Sequence, residues 1–315
     1  MTRKQNTPNL FIVGAAKAGT TSLYQYLKNH PSVYLSPIKE PNYFSNDINP
    51  AEFSSLYRKN TVLDLNSYFS KKPLEDLQLS FVRNEEQYKM LFEGVENEKV
   101  IGECSTSYLY SHTAAENIYK YNKNSRIIIS LRNPAERTFS HYLMALRYGF
   151  TSLDFRKAIE KDMHQKEKGW GKSELFIELS QYYEQIKRFY DIFPENQIKV
   201  FLFEEINKKT GDVLSECSDF FAIEPFTVIS SKIFNSASVP KYKKFNSILA
   251  QSGIKKLSKK LLTDGGKKKL KQYFFSKDEL PKMNPEDKAF LNEIFIEDIK
   301  KTSVLIKKDL THWLK

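Results

Sequence analysis

The sequence predicts an α/β protein, a three-layer α/β/α sandwich built on a central parallel sheet. Three observations predict it. Residues 9–27, NLFIVGAAKAGTTSLYQYL, pass from a short apolar strand through a tight small-residue loop into a helix. Residues 125–131, SRIIISL, form an almost continuous apolar run, the pattern of a parallel strand covered on both faces. Elsewhere candidate strands alternate with candidate helices, and no internal repeat is evident.

In chain order, residues 10–13 form the first strand and 20–28 the helix after the loop. Asn29-His30-Pro31 ends that helix, because proline cannot continue it. Residues 33–35 make a short strand, and 36–44, SPIKEPNYF, a loop. Residues 45–80 are aromatic and polar without a clear period. Residues 85–92 read as a helix and 100–103 as a strand. The 125–131 strand ends in Arg132-Asn133-Pro134, and 135–147 continue as a helix. Residues 181–193 are an amphipathic helix that stops before Pro194, and 197–203 alternate into a further strand. Ligands of such sheets bind beyond the carboxyl ends of the strands. Gly14 and Arg132 both follow strand ends, so one crevice is expected to receive them.

At 315 residues, one domain over 1–315 is favoured over two small ones. With 40% hydrophobic and 14% aromatic residues the chain can bury a sizeable core, and only 11 Gly and 12 Pro argue against long disordered tracts. The two cysteines, Cys104 and Cys217, lack metal-ligand spacing and fit a reducing compartment. No apolar run approaches bilayer length, and the first eight residues, MTRKQNTP, lack the apolar core of a signal peptide; the expected location is the cytoplasm. The net charge of +11 is local: residues 255–272 hold eight lysines against the single acid Asp264, a net of +7. With Ile254, Leu257, Leu261 and Leu262 interleaved, that segment suits a helix on an anionic membrane surface or facing a polyanionic acceptor, a solvated lysine-rich face being the plainer alternative.

The chemistry starts at the first loop. A helix start offers unpaired N–H groups and the positive end of the helix dipole to an anion. The usual nucleoside-triphosphate loop reads G-x-x-x-x-G-K-[ST]; here Gly14 and Gly19 keep the spacing, Thr20 replaces the lysine, and the cation sits inside the loop at Lys17. Such a loop is a poor ATPase loop but still suits a 5′-phosphate bearing a second anionic group. At the second strand end, Arg132 offers a bidentate fork to a phosphate and Ser140 a further hydrogen bond. Arg137 lies one turn before Ser140, where a surface salt bridge is the expectation.

These segments resemble those of sulfotransferases that use 3′-phosphoadenosine 5′-phosphosulfate (PAPS), of the bacterial and heparan-sulfate type. Residues 17–22, KAGTTS, resemble their 5′-phosphosulfate loop; Arg132 and Ser140 their 3′-phosphate segment; and Lys39-Glu40-Pro41-Asn42-Tyr43-Phe44 their lysine-glutamate-proline segment. The resemblance implies a P-loop-like fold and binding of the donor by Lys17, Ala18, Gly19, Thr20, Thr21, Ser22, Arg132 and Ser140. It also implies catalysis by Glu40 as base and Lys17 at the leaving group, with no metal, and an acceptor hydroxyl on a carbohydrate or glycolipid, with 3′,5′-ADP released. Relatives carry His at the position of Asn42 and several a lysine at that of Cys104, so those services are missing or come from elsewhere. Glu103 and His112 are the alternative bases, and a simple pairing of Glu40 with Lys39 in an exposed loop is the bland reading. The segments 182–194, 202–206, 235–240 and 291–313 extend the resemblance over most of the chain, but no third phosphate anchor stands out.

Two other function classes compete. A nucleotide kinase or GTPase needs a magnesium-binding acid after a hydrophobic strand, where this chain has Arg132. A non-catalytic basic protein engaging membrane or nucleic acid would bind with salt-dominated affinity. No recognised nucleic-acid module is present, so no nucleic-acid partner is expected.

Overall fold

The computed structural model describes residues 6–62, 64–227, 239–240, 242–252, 275–276 and 281–315. Five parallel strands, β1 (Leu10–Gly14), β2 (Val33–Leu35), β3 (Val100–Cys104), β4 (Arg126–Leu131) and β5 (Ile198–Leu202), form one sheet in the order β2-β3-β1-β4-β5. β1 and β4 sit in its interior. Their apolar runs follow from that position, because each is covered on both faces and paired on both edges.

The period of two in a strand divides the core. Phe11, Val13, Ile127, Ile129 and Leu131 fall in one apolar cluster; Leu10, Ile12 and Ile128 fall in the other. The first face is covered by the helices Pro134–Tyr148, Tyr183–Tyr190 and Pro285–Ile306, and the second by Thr20–Lys28 and Thr210–Phe221. The result is the expected three-layer arrangement of a P-loop-like α/β fold.

Most element boundaries lie within two or three residues of the sequence reading. The helix at 20–28 is found as expected. Phe203, expected to end a strand, instead opens the helix Phe203–Lys208. Residues 45–80 contain helices at Ser55–Asn60 and Asn66–Phe69, too short to show an apolar period; the first is capped by Ser54, which accepts from the Tyr57 N–H. Asn133 caps the helix Pro134–Tyr148 by accepting from the N–H groups of Ala135 and Glu136. Asn-Pro at that strand end is therefore a stop for β4 and a start for the helix.

The lysine-rich segment 255–272 lies outside the described residues, as do 235–238 of the segment 235–240. Among the described residues, no helix is long and apolar enough to cross a membrane.

Candidate active site

β1 ends at Gly14, and the loop that follows turns back through two left-handed residues, Lys17 (φ 70°) and Gly19 (φ 92°). At Gly19 a side chain is excluded twice over: by that backbone angle, and because a Cβ would lie 3.0 Å from Phe203 Cδ2. The loop is tied to β4. The Ala15 N–H donates to the Ser130 carbonyl (2.6 Å), the Ser130 hydroxyl donates to the Ala18 carbonyl, and the Ala18 N–H donates to the Ala15 carbonyl (3.2 Å). Among the described residues the N–H groups of Thr20, Thr21 and Ser22 have no backbone acceptor, and the first turn of their helix holds no acidic residue. An uncompensated helix dipole therefore points out of the loop. The Thr20 side chain is buried, where it interacts with the Cys104 thiol, so this residue offers its backbone rather than its hydroxyl.

Lys17 is half-buried, and its ammonium makes no hydrogen bond or ion pair among the described residues. Burial pushes it down to about 8; the charges of Arg147, Arg132 and Arg137 push the same way, and the Glu40 carboxylate opposes them. An anion placed here relieves an ammonium that the fold otherwise disfavours. Its charge must be present to act, so kcat/KM for the nucleotide donor is expected to fall as pH rises through about 8. A profile flat from pH 7 to 9.5 contradicts a role for this ammonium.

Arg132, just past β4, is brought beside the loop by a residue far away in sequence. Its guanidinium lies 4.4 Å over the Phe203 ring, the ring that abuts Gly19. Its Nε and Nη2 donate to Glu136 Oε2 at 3.3 and 3.2 Å. Glu136 is half exposed, so an incoming phosphate can displace that carboxylate into water. Ser140, two turns into the following helix, is half-buried. Arg137 corrects the expectation of a surface salt bridge. It is fully buried, donating from Nε to Ser180 Oγ (2.5 Å) and from Nη2 to the Phe176 carbonyl (2.8 Å), because it lies on the side of its helix that packs against the segment carrying Phe176 and Ser180. It braces the helix that carries Ser140.

Glu40 is held by both oxygens. Oε1 accepts from Lys39 Nζ (2.8 Å) and Oε2 from Thr106 Oγ1 (3.0 Å), and the side chain is 14% exposed. The bland reading of the pair is thus half met. Lys39 and Glu40 do bond, but in a buried loop rather than an exposed one, because the Lys39 N–H donates to the Leu77 carbonyl and the Ser80 N–H donates to the Glu40 carbonyl. Asn42 is committed to structure: its Nδ2 donates to the carbonyls of Glu40 and Ser80, and its Oδ1 accepts from Ser107 Oγ.

The two alternative bases are placed differently. Glu103 is fully buried and accepts from Tyr88 (3.0 Å), Tyr108 (2.6 Å) and Ser105 (2.5 Å), which makes it a core carboxyl closed to substrate. Burial raises it to about 7 against those hydrogen bonds. The folded chain thus keeps a proton that the unfolded chain releases near pH 4.5, so this group's contribution to stability falls between about pH 4.5 and 7. E103Q is expected to remove that slope, on the order of 3 kcal/mol across the range. It is also expected to retain turnover. Urea midpoints at pH 5 and 7 measure the first, and large loss of turnover refutes the second. His112 is exposed, its backbone N–H donating to Asp47.

A strand-loop-helix cradle with a lysine unpaired among the described residues, an arginine joined to it through one ring and a clamped carboxylate can hold an anion beside a proton acceptor. The model of the sulfotransferase domain matches residues 7–303. The chain belongs to that family. The chain is 29% identical over 178 residues to human carbohydrate sulfotransferase 15, covering 48% of this chain and 30% of that protein. It is 30% identical over 141 residues to the membrane-associated sulfotransferase kil1 of Dictyostelium discoideum, covering 45% and 24%. The chain therefore spans less than a third of those relatives' length. A sulfotransferase from Alicyclobacillus acidocaldarius superposes with a TM-score of 0.72 at 27% identity, over 98% of this chain and 99% of that one. Membership of this family of enzymes removes the kinase, GTPase and non-catalytic readings.

Sequence reasoning missed three contributors. Phe203 was assigned to a strand, and nothing local marks it as the shared floor of Gly19 and Arg132. Arg147, in the last turn of the helix Pro134–Tyr148, is the charge with the largest effect on the Lys17 ammonium. Tyr57, from the stretch without period, feels the Glu40 charge, accepts from Trp170 Nε1 (2.8 Å) and stacks on Phe150 at 6.1 Å, which stacks on the exposed Tyr148 at 5.9 Å. A row of rings thus leads outward from the neighbourhood of Glu40.

Proposed function

We propose that this sulfotransferase moves the sulfuryl group of PAPS to an acceptor hydroxyl on a carbohydrate or glycolipid and releases 3′,5′-ADP. The observation that carries this reading is the half-buried Lys17 ammonium, unpaired among the described residues, in the loop that leads into a helix start with free N–H groups and within the field of Glu40. Lys17 and the backbone N–H groups of 19–22 hold the 5′-phosphosulfate, the Ala18 N–H being taken by the Ala15 carbonyl, and Arg132 with Ser140 holds the 3′-phosphate. Glu40 takes the acceptor proton as the acceptor oxygen bonds to sulfur and the bond from sulfur to the 5′-phosphate oxygen breaks. Lys17 and the N–H groups bear the negative charge left on that oxygen. The row Tyr57, Phe150 and Tyr148 supports a ring-bearing acceptor, and the carbohydrate relatives favour a sugar.

Calorimetry against 3′,5′-ADP and AMP tests the donor. One extra charge-assisted phosphate contact is worth roughly 1.5–3 kcal/mol, so 3′,5′-ADP is expected to bind about ten- to a hundredfold tighter. Arg132→Ala is expected to abolish most of that preference. Equal affinities of the unaltered protein for the two nucleotides overturn the donor assignment. Incubation with labelled PAPS and a panel of sugar, lipid and phenolic acceptors then assigns the acceptor by which class takes up label.

A further inference from the structure

Lys39 is 4% exposed, and its ammonium pairs with the Glu40 carboxylate. Its ammonium also interacts with the Cys104 sulfur at the end of β3. Burying a lysine is costly, and an apolar pair of similar volume usually stabilises a fold as well as or better than a buried ion pair. Stability therefore accounts poorly for an ammonium at this place. Its geometry suggests another use. Lys39 Nζ fixes Glu40 Oε1 and Thr106 Oγ1 fixes Oε2, while the main chain on either side is pinned through Leu77 and Ser80. A glutamate side chain has three rotatable bonds, and this clamp leaves one orientation with a narrow face open to solvent. A carboxylate oxygen has lone pairs to spare after accepting one bond each, so the clamp does not consume its capacity to take a proton.

We infer that Lys39 is a positioning residue whose buried ammonium, paired to Glu40 Oε1, holds that carboxylate in the orientation needed to receive the acceptor proton. The inference rests on the reading of Glu40 as base. Lys39 does not touch substrate; it acts through Glu40 by fixing its rotamer. The Cys104 thiol beside it is pushed up to about 12 by burial, which keeps it neutral and leaves Glu40 as the anion that Lys39 serves.

Lys39→Met keeps most of the side-chain volume and removes the charge. With the full-length chain, PAP (3′,5′-ADP) formation from PAPS is measured using the responding acceptor of the panel, or water where no acceptor responds. Lys39→Met is expected to lower kcat roughly a hundredfold while the Kd for 3′,5′-ADP stays within about threefold. The double variant Lys39→Met/Glu40→Gln is expected to be no slower than Glu40→Gln alone, because a residue acting only through Glu40 has nothing left to act on. Lys39→Ala, which leaves a space, is expected to regain activity with added ethylammonium but not with propane-sized neutral alcohols. Full activity of Lys39→Met alongside an inactive Glu40→Gln overturns this inference alone. An active Glu40→Gln overturns the base assignment and this inference with it. Multiplicative losses in the double variant, or loss of nucleotide binding in Lys39→Met, assign the lysine a merely structural role. If Lys39→Met fails to fold, the ethylammonium response of Lys39→Ala decides.

Discussion

Lys17→Ala is expected to lower kcat by about 10²–10³-fold while changing the Kd for 3′,5′-ADP by no more than about tenfold. The asymmetry follows from when the charge is needed. In the ground state the 5′-phosphate of the proposed donor would already be met by the N–H groups at the start of the helix Thr20–Lys28 and by the dipole behind them. Negative charge grows on the bridging oxygen only as the bond to sulfur breaks, and a fixed donor aimed there is typically worth two to three powers of ten in rate. The fold has placed Lys17 for this by means of a left-handed loop residue and a surrounding of arginines that leaves its ammonium unpaired. Steady-state kinetics together with calorimetry separate the two quantities. An equal loss in kcat and in affinity for 3′,5′-ADP would show Lys17 to be a uniform anchor instead.

Glu40→Gln is expected to reduce transfer by about 10²–10⁴-fold with nucleotide affinity unchanged. The amide retains the shape and can still accept from Lys39 or Thr106 through its one carbonyl oxygen, but it has no basic site for the acceptor proton. Because Glu103 is enclosed by two tyrosines and a serine, it cannot substitute. His112 is exposed in a separate loop, so loss at Glu40 should not be rescued there either. Glu40→Gln with undiminished turnover on the responding acceptor removes the proposed base.

The candidate site was legible in part. The glycine spacing, the displaced lysine and the strand-end arginine are local patterns, and each of them lies where a strand meets a helix. The buried state of Lys39 and Arg137 was not legible. A charged residue carries no sequence mark of the contacts that allow it to be buried: the Arg137 side chain is satisfied by Ser180 and the Phe176 carbonyl, and the Lys39 side chain by the neighbouring Glu40 and by Cys104, brought from the end of β3. Tyr57 and Phe203 were missed for a related reason. Their roles depend on rings and charges brought from other elements, and the short helix Ser55–Asn60 is below the length at which periodicity speaks.

The sequence by itself determined the layering and the ends of the strands, because alternation of apolar side chains and the chemistry of Gly, Asn and Pro act over a few neighbouring bonds. Only the tertiary structure decided which charges meet. Phe203 joins Gly19 to Arg132, and the clamp of Lys39 and Thr106 joins two loops at Glu40. Such meetings are contacts between residues tens of positions apart, fixed by how the five strands order themselves rather than by any local preference.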